Sequence, residues 1–399
     1  VVHGRRWVVR HIGELNPPER ILLGPGPSMV PPRVLQAMAS PVLGHLDPAF
    51  LAIMDETMSL LRYVFQTENE LTFPISGTGS AGMEACLVNL LEPGDRAVIG
   101  VNGFFGQRMA EIARRCGADV TVVEAPWGQA VDPQQIQRVL GQGKAKVVAV
   151  VHVETSTGVL QPLEEVIRIS HEHGAVVLVD AVASLGGVDL PIDRWGVDVC
   201  YSGSQKCLSA PPGLAPVTVS DRVRQEVNHR KTPVQSWYLD FSLLKTYWGG
   251  ERVYHHTAPV PMIYALHEAL RIVQEEGLEA RFARHAKHAR ALWAGLEGLG
   301  LRLFAPEPIR SPTLTTVEVP EGVDEAAVRR RLLVEFGIEI AGGLGPLRGR
   351  IWRIGLMGHS AQQRNVLLLL AALGAILRDM RVPVDPGAGV EAARETYTS

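Results

Sequence analysis

The sequence predicts an α/β protein: a large domain on a mostly parallel seven-stranded sheet, followed by a smaller C-terminal α+β domain. Three observations carry this. From about residue 71 to 220, short apolar runs alternate with helical stretches, the rhythm of a parallel sheet covered on both faces. Glycine follows expected helix ends, Gly117 after Cys116 and Gly174 after His173, where a left-handed residue closes a helix. After about residue 275 the rhythm changes to one long helix and shorter strands. A chain of 399 residues, 46% of them hydrophobic, is long enough for both units.

In chain order, residues 1–20 are expected to form an N-terminal arm. Its first 13 residues hold Arg5, Arg6 and Arg10 and no acid, a flexible or partner-wrapping terminus with organelle targeting as the alternative. The large domain is assigned to 21–276. Its strands are expected at 71–75, 96–101, 119–124, 146–153, 175–180, 198–202 and 215–219, with helices such as 80–91, 105–116, 133–141 and 163–173 between them. The small domain is assigned to 277–380. It opens with a helix over 277–299, has strands at 301–305, 313–319, 338–341 and 350–356, and helices at 324–336 and 361–379. Residues 381–399, with Pro383, Pro386 and Gly387, are read as a flexible tail.

Composition excludes several classes of partner. The net charge is −3 and no long basic block occurs, which argues against nucleic acid. No apolar stretch reaches the roughly 18–20 residues a membrane span needs; residues 366–378 come closest and read as a buried helix. Cys86, Cys116, Cys200 and Cys207 show no metal-ligand spacing and are too few for a disulfide framework, so no metal and a cytoplasmic location are expected. Adjacent side chains on an extended chain point to opposite sides, which argues against a metal at His255–His256. His171 and His173 are read as partners of a helix dipole.

The chemistry is concentrated at Lys206. The chain has six lysines against 33 arginines, and this one follows a buried apolar run, Val197 to Tyr201, among small residues. Desolvation there lowers an amine's pKa and makes it a nucleophile toward a carbonyl. Asp180 ends the preceding strand, Val176–Asp180. A lysine for a Schiff base and a carboxylate for a pyridinium nitrogen are the pair that pyridoxal 5′-phosphate (PLP) requires.

A third part is the turn Ser76-Gly77-Thr78-Gly79-Ser80 between a strand and a helix. Its glycines allow close approach, its helix N-terminus attracts an anion, and Thr78 and Ser80 add hydroxyls. The turn lacks the Lys-Ser/Thr ending of an ATP-type loop and suits a single phosphate. In Asn102-Gly103-Phe104-Phe105, one phenylalanine can stack on a flat ring, or both are core residues. Thr155 can reach the cofactor's phenolic oxygen or the Schiff base. Arg353, in the apolar run Ile351-Trp352-Arg353-Ile354, suits a carboxylate bound through two parallel hydrogen bonds; the alternative is an arginine facing solvent. The run Gly24-Pro25-Gly26-Pro27 is expected to line the mouth of the site.

With these residues assembled, the chain resembles the class V, fold-type I PLP-dependent aminotransferases, and within them the alanine–glyoxylate/serine–pyruvate group. The resemblance runs from about residue 20 to 380. It rests on Leu22–Ser28, Val64–Thr67, the Ser76–Ser80 turn, Ser156–Pro162, Val179–Gly187, Ser202–Lys206, Tyr254–Thr257, Gly342–Gly345 and Arg353–Leu356. It implies Lys206 as the Schiff-base lysine, Asp180 as partner of the pyridine nitrogen, and Thr78, Gly79 and Gln205 at the phosphate. Phe105 stands where many relatives stack a tryptophan, and Ser80 where some carry histidine. Tyr254 and Thr257 would reach the phosphate of a neighbouring subunit, implying a homodimer with composite sites. Arg353 and Gly26 would meet the substrate.

The activity this implies is transfer of the amino group of alanine or serine to glyoxylate or another small 2-oxo acid by a ping-pong mechanism. Relatives acting on 3-hydroxykynurenine, ureidoglycine or 2-aminoethylphosphonate are the close alternatives. A cysteine desulfurase needs a cysteine near the small domain, and none follows Cys207. A PLP-fold ligand sensor is the non-enzyme alternative.

Overall fold

The computed structural model describes residues 12–398. The expected basic arm therefore lies mostly outside the described residues. Early in the chain are β1 (Ile21–Leu22), α1 (Pro32–Met38) and α2 (Pro48–Phe65). The sheet of the large domain follows, from β2 (Leu71–Ser76), α3 (Gly79–Leu90), β3 (Arg96–Val101), α4 (Phe104–Arg115), β4 (Asp119–Glu124) and α5 (Pro133–Leu140) to β5 (Val147–Val151). A small hairpin, β6 (Val153–Glu154) and β7 (Val159–Leu160), interrupts it. Then come α6 (Glu164–Glu172), β8 (Val176–Asp180), α7 (Ile192–Trp195), β9 (Val199–Tyr201) and β10 (Leu214–Val219), before α8 (Asp221–Asn228), α9 (Phe241–Trp248) and α10 (Val260–Glu276).

The expected seven strands form one sheet in the order β2-β10-β9-β8-β5-β3-β4. Only β10 runs antiparallel to its neighbours. β5 and β8 are buried throughout, as continuous Val- and Leu-rich runs require when helices cover both faces. Because β8 and β9 are parallel neighbours, their C-terminal ends open side by side, with Asp180 opposite Tyr201.

The small domain contains α11 (Leu278–Gly298), β11 (Leu314–Glu318), α12 (Glu325–Phe336), β12 (Ile338–Glu339), β13 (Ala341–Gly342), β14 (Ile351–Gly355), α13 (Gln363–Asp379) and α14 (Pro386–Thr398). Its three-stranded sheet has the order β11-β14-β13. Three expectations need correction. Residues 301–305 form no strand; Leu303 alone bridges Val317. The domain boundary does not fall at residue 21, because Ile21 and Leu22 pair with Ile338 and Glu339 and Leu23 is buried in the small-domain core with Trp352.

The third correction is the tail, which is helical over Pro386–Thr398. Pro386 opens the helix, a position where its missing N–H costs nothing. Small residues then let α14 cross α11 closely. A Cβ at Gly295 would lie 2.8 Å from the carbonyl oxygen of Gly389, and one at Gly298 3.0 Å from that of Ala388. His288 Nδ1 lies 2.8 Å from the Tyr397 hydroxyl at the far end of the crossing.

The two domains are tied by arginines at the start of α11. Arg281, 3% exposed, donates to the carbonyls of Gly186 (2.8 Å) and Cys207 (2.5 Å) in the large domain. Arg284 donates to Gly358 and Ala361 of the small domain at 2.9 and 2.8 Å. Both guanidiniums pair with Glu276, which keeps the buried charge compensated.

Candidate active site

Asp180 and Tyr201 end adjacent strands, and the Tyr201 hydroxyl donates to Asp180 Oδ2 at 2.6 Å. The N–H of Val182 donates to Oδ1 at 2.8 Å. Burial pushes the Asp180 carboxyl above its ordinary range, while these two donors and the Lys206 charge act against that push. Lys206 lies five residues beyond β9, and its amine donates to the carbonyl of Pro25. Burial lowers this amine to about 8, reinforced by Arg353 and opposed by Cys207 and Asp180. Gly26 has φ +109 and lies directly on the lysine: a Cβ there would sit 2.6 Å from Nζ. Only glycine combines that backbone angle with that approach.

Across the cavity stands the N-terminus of α3. Thr78 is its N-cap, in extended conformation, and its hydroxyl makes no capping bond. The first N–H groups of this helix therefore lack the usual side-chain partner. Gly79 packs against Val182, where a Cβ would lie 3.0 Å from Cγ2. The side-chain oxygen of Gln205 is buried without a hydrogen-bond partner, a cost normally relieved by a ligand or an amide turn.

α4 forms the next wall. Its Phe105 ring carries the Arg108 guanidinium at 4.9 Å from the centroid, a cation–π contact. Arg108 Nη1 also donates to Ser80 Oγ at 3.0 Å, joining α4 to α3. The carboxylate of Glu154, fully buried, accepts from the N–H groups of Phe105 (3.0 Å), Gly106 (3.2 Å) and Ser156 (3.0 Å), and from the Ser156 hydroxyl (2.6 Å).

Thr78, Gly79, Ser80, Phe105, Thr155, Asp180, Gln205 and Lys206 line one cavity of about 150 Å³. Arg353, on β14, abuts it rather than lining it. Its Nη1 donates to the carbonyl of Thr155 (3.2 Å) and its Nε to that of Gly342 (2.7 Å). Nη2 has no hydrogen bond among the described residues. Arg353 is 7% exposed, so it does not face solvent, and burial lowers it to about 10 against the opposing charge of Glu154. Tyr254 and Thr257 lie outside the cavity lining and are exposed; the Tyr254 ring contacts His45 at 5.2 Å.

One histidine expectation changes. His255 and His256 do not point apart. The segment is not a strand, and their Nδ1 atoms meet at 2.8 Å. His171 and His173 do sit at the C-terminal end of their helix as expected: His173 Nδ1 lies 2.9 Å from the last-turn carbonyl of Ile169, and His171 also binds Asp198 at 2.9 Å. Reading the sequence missed Tyr201, Arg108 and Glu154. The position of Arg108, three residues past Phe105 on a helix, was an available signal; the partnership of Glu154 with a helix about 50 residues earlier gave none.

The family described as aminotransferase class-V matches residues 20–347. The (S)-ureidoglycine–glyoxylate transaminase of Bacillus subtilis (strain 168) is 44% identical over 96% of this chain and 97% of its own length. The alanine–glyoxylate aminotransferase of Callithrix jacchus is 45% identical over 91% of this chain and 89% of its own. Among solved structures, the alanine–glyoxylate aminotransferase of Nostoc sp. superposes with a TM-score of 0.91 at 51% identity, covering 92% of this chain and 98% of that one. The chain belongs to the class V aminotransferases, a family whose cofactor is pyridoxal 5′-phosphate.

Proposed function

We propose that this aminotransferase moves the amino group of a small amino acid, alanine or serine, to glyoxylate or another small 2-oxo acid in a ping-pong cycle. The observation that carries the reading is a desolvated amine and a buried carboxylate facing one cavity, with an uncapped helix N-terminus across from them. The residues fit PLP. The free end of α3, with Thr78, Gly79 and Ser80, would hold its phosphate, joined by Gln205 with its amide turned so that the NH2 group donates. Phe105 would stack on its ring with Thr155 at the edge, Asp180 would face its ring nitrogen, and Lys206 would hold its aldehyde carbon.

When bound, PLP supplies a conjugated ring that stabilises negative charge at a substrate carbon. Lys206 would take the proton from the amino acid's Cα onto Nζ. Its lowered pKa leaves a useful neutral fraction near neutral pH. Asp180, its plane fixed by Tyr201 and Val182, would pair as an anion with a protonated ring nitrogen. Arg353 is oriented by the Gly342 and Thr155 carbonyls and offers its remaining N–H groups to the substrate carboxylate. Gly26 keeps the mouth free of any side chain above Lys206.

The proposal includes a homodimer in which Tyr254 and Thr257 reach the partner's phosphate. Exposed Leu46, Trp237, Val253 and Tyr254 supply apolar surface around that segment. The cysteines Cys86, Cys116, Cys200 and Cys207 are buried and free, which suits the cytoplasm. A second donor, (S)-ureidoglycine, is favoured by the relative of that activity matched over nearly the whole chain. Both readings share glyoxylate as acceptor.

The test is an absorbance spectrum of the purified protein with PLP, then L-alanine, then glyoxylate. A band near ~400–430 nm that falls with alanine and returns with glyoxylate is expected. A band that ignores alanine but answers ureidoglycine selects the second donor, and no band after PLP is supplied would refute the cofactor site. Lys206→Ala should lower turnover by about a thousandfold or more; retained activity would remove Lys206 from its role.

A further inference from the structure

His255 and His256 are 5% and 9% exposed, and no step above uses them. His256 Nε2 lies 2.8 Å from the Ser76 hydroxyl. On the other side, His255 Nε2 lies 3.4 Å from the carbonyl oxygen of Trp237, whose indole stacks on the His255 ring at 4.4 Å and 7°.

The carbonyl sets the direction of every proton. A carbonyl oxygen only accepts, so His255 carries its proton on Nε2. Two N–H groups cannot face each other at 2.8 Å, so one proton lies between the rings. No carboxylate among the described residues pairs with either ring, and an unpaired buried charge is costly. With both rings neutral, the shared proton belongs to His256 Nδ1, and His256 Nε2 is bare. The Ser76 hydroxyl must then donate. The result is one directed chain, from Ser76 through His256 and His255 to Trp237. Burial, with the neighbouring His255 and His45, pushes His256 down to about 4, which keeps that ring uncharged at neutral pH.

The chain joins two parts of the proposed site. Ser76 ends β2 immediately before the Gly77–Gly79 turn and the open end of α3. Tyr254 and Thr257 flank the histidine pair in sequence and are exposed. We infer that His255 and His256 are positioning residues whose hydrogen-bond chain fixes the Tyr254–Thr257 segment to the end of β2. The phosphate turn of one subunit and the two groups it lends to its partner are thereby held as one unit. The inference rests on the proposed PLP site and dimer.

The test compares equilibrium binding of PLP and of pyridoxal, which lacks the phosphate. It uses the full chain, Ser76→Ala, His256→Asn and the double variant, with unfolding midpoints measured alongside. Each single variant should weaken PLP by about tenfold, the double by no more than that, and pyridoxal should change by less than about twofold. Equal losses for PLP and pyridoxal, losses that multiply to about a hundredfold in the double variant, or no loss at all would overturn the inference. If His256→Asn does not fold, Ser76→Ala removes a single hydroxyl and decides the matter by the same PLP-to-pyridoxal contrast. A wild-type protein that binds no PLP would refute the proposed function, and this inference with it; a wild type that binds PLP while the variants match it refutes the inference alone.

Discussion

Helices α3 and α4 bring their N-termini to the same cavity and finish them in opposite ways. Every helix leaves its first N–H groups without internal partners. At α4 the need is met from within: Glu154 takes the N–H groups of Phe105 and Gly106, and the Ser156 hydroxyl takes that of Phe104 at 2.9 Å. The carboxylate fits only because residue 103 is glycine; a Cβ there would lie 2.4 Å from Glu154 Cγ. At α3 the Thr78 hydroxyl makes no such bond, and the end faces Gln205 and Lys206 across the cavity. One end is filled by the protein's own carboxylate and hydroxyl; the other is the end proposed to take the cofactor's phosphate. Both helices follow a strand of the large sheet, and at their N-termini they differ in whether the protein supplies the acceptors.

Removing the internal anion is the hardest blow to this contrast. Glu154→Ala leaves the N–H groups of Phe105, Gly106 and Ser156 buried without an acceptor, and stability to urea should fall by about 3 kcal/mol. An unchanged unfolding midpoint would mean that the filled end is not what holds α4.

Filling the open end tests the other half. Thr78→Asp gives α3 its own carboxylate, which should stabilise the apo-protein by about 0.5–1 kcal/mol. The same charge should repel a phosphate and weaken PLP by about thirtyfold, roughly 2 kcal/mol. Undiminished PLP affinity would move the phosphate elsewhere.

The smallest effect leaves both helices intact. Only a neutral amine attacks a carbonyl, and Lys206 is lowered to about 8. Stopped-flow capture of PLP by the apo-protein should therefore slow by about tenfold per pH unit below that value and level off above it. A rate still climbing at pH 10 would show an amine with ordinary basicity.

The same contrast explains what could be read in the sequence. The strands of the large sheet were legible because a strand buried on both faces is a bare apolar run, such as Val147–Val151, with Asp180 or a glycine as its punctuation. Lys206 and Asp180 were legible as chemically costly residues at the ends of such runs. Glu154 was not, because its partners are backbone N–H groups of a distant helix and backbone leaves no trace in residue identity. Arg353 had two sequence readings, and its burial with its bonds to the carbonyls of Gly342 and Thr155 removes the solvent-facing one. At His255–His256 the alternation rule failed because the chain there is irregular. At the C-terminus, Pro383, Pro386 and Gly387 looked like helix breakers, yet Pro386 starts a helix and Gly389 lets it touch α11.

That last crossing has a consequence for the order of assembly. Residues from α1 to α10 can pack around their sheet as soon as they have been synthesised. The core of the small domain instead joins residues far apart in the chain, Leu23 and Ala393. That core is complete only once α14 has emerged from the ribosome. A nascent chain halted before residue 386 would carry Lys206, the Ser76–Ser80 turn and Arg353, but with the core of the small domain still missing its last helix.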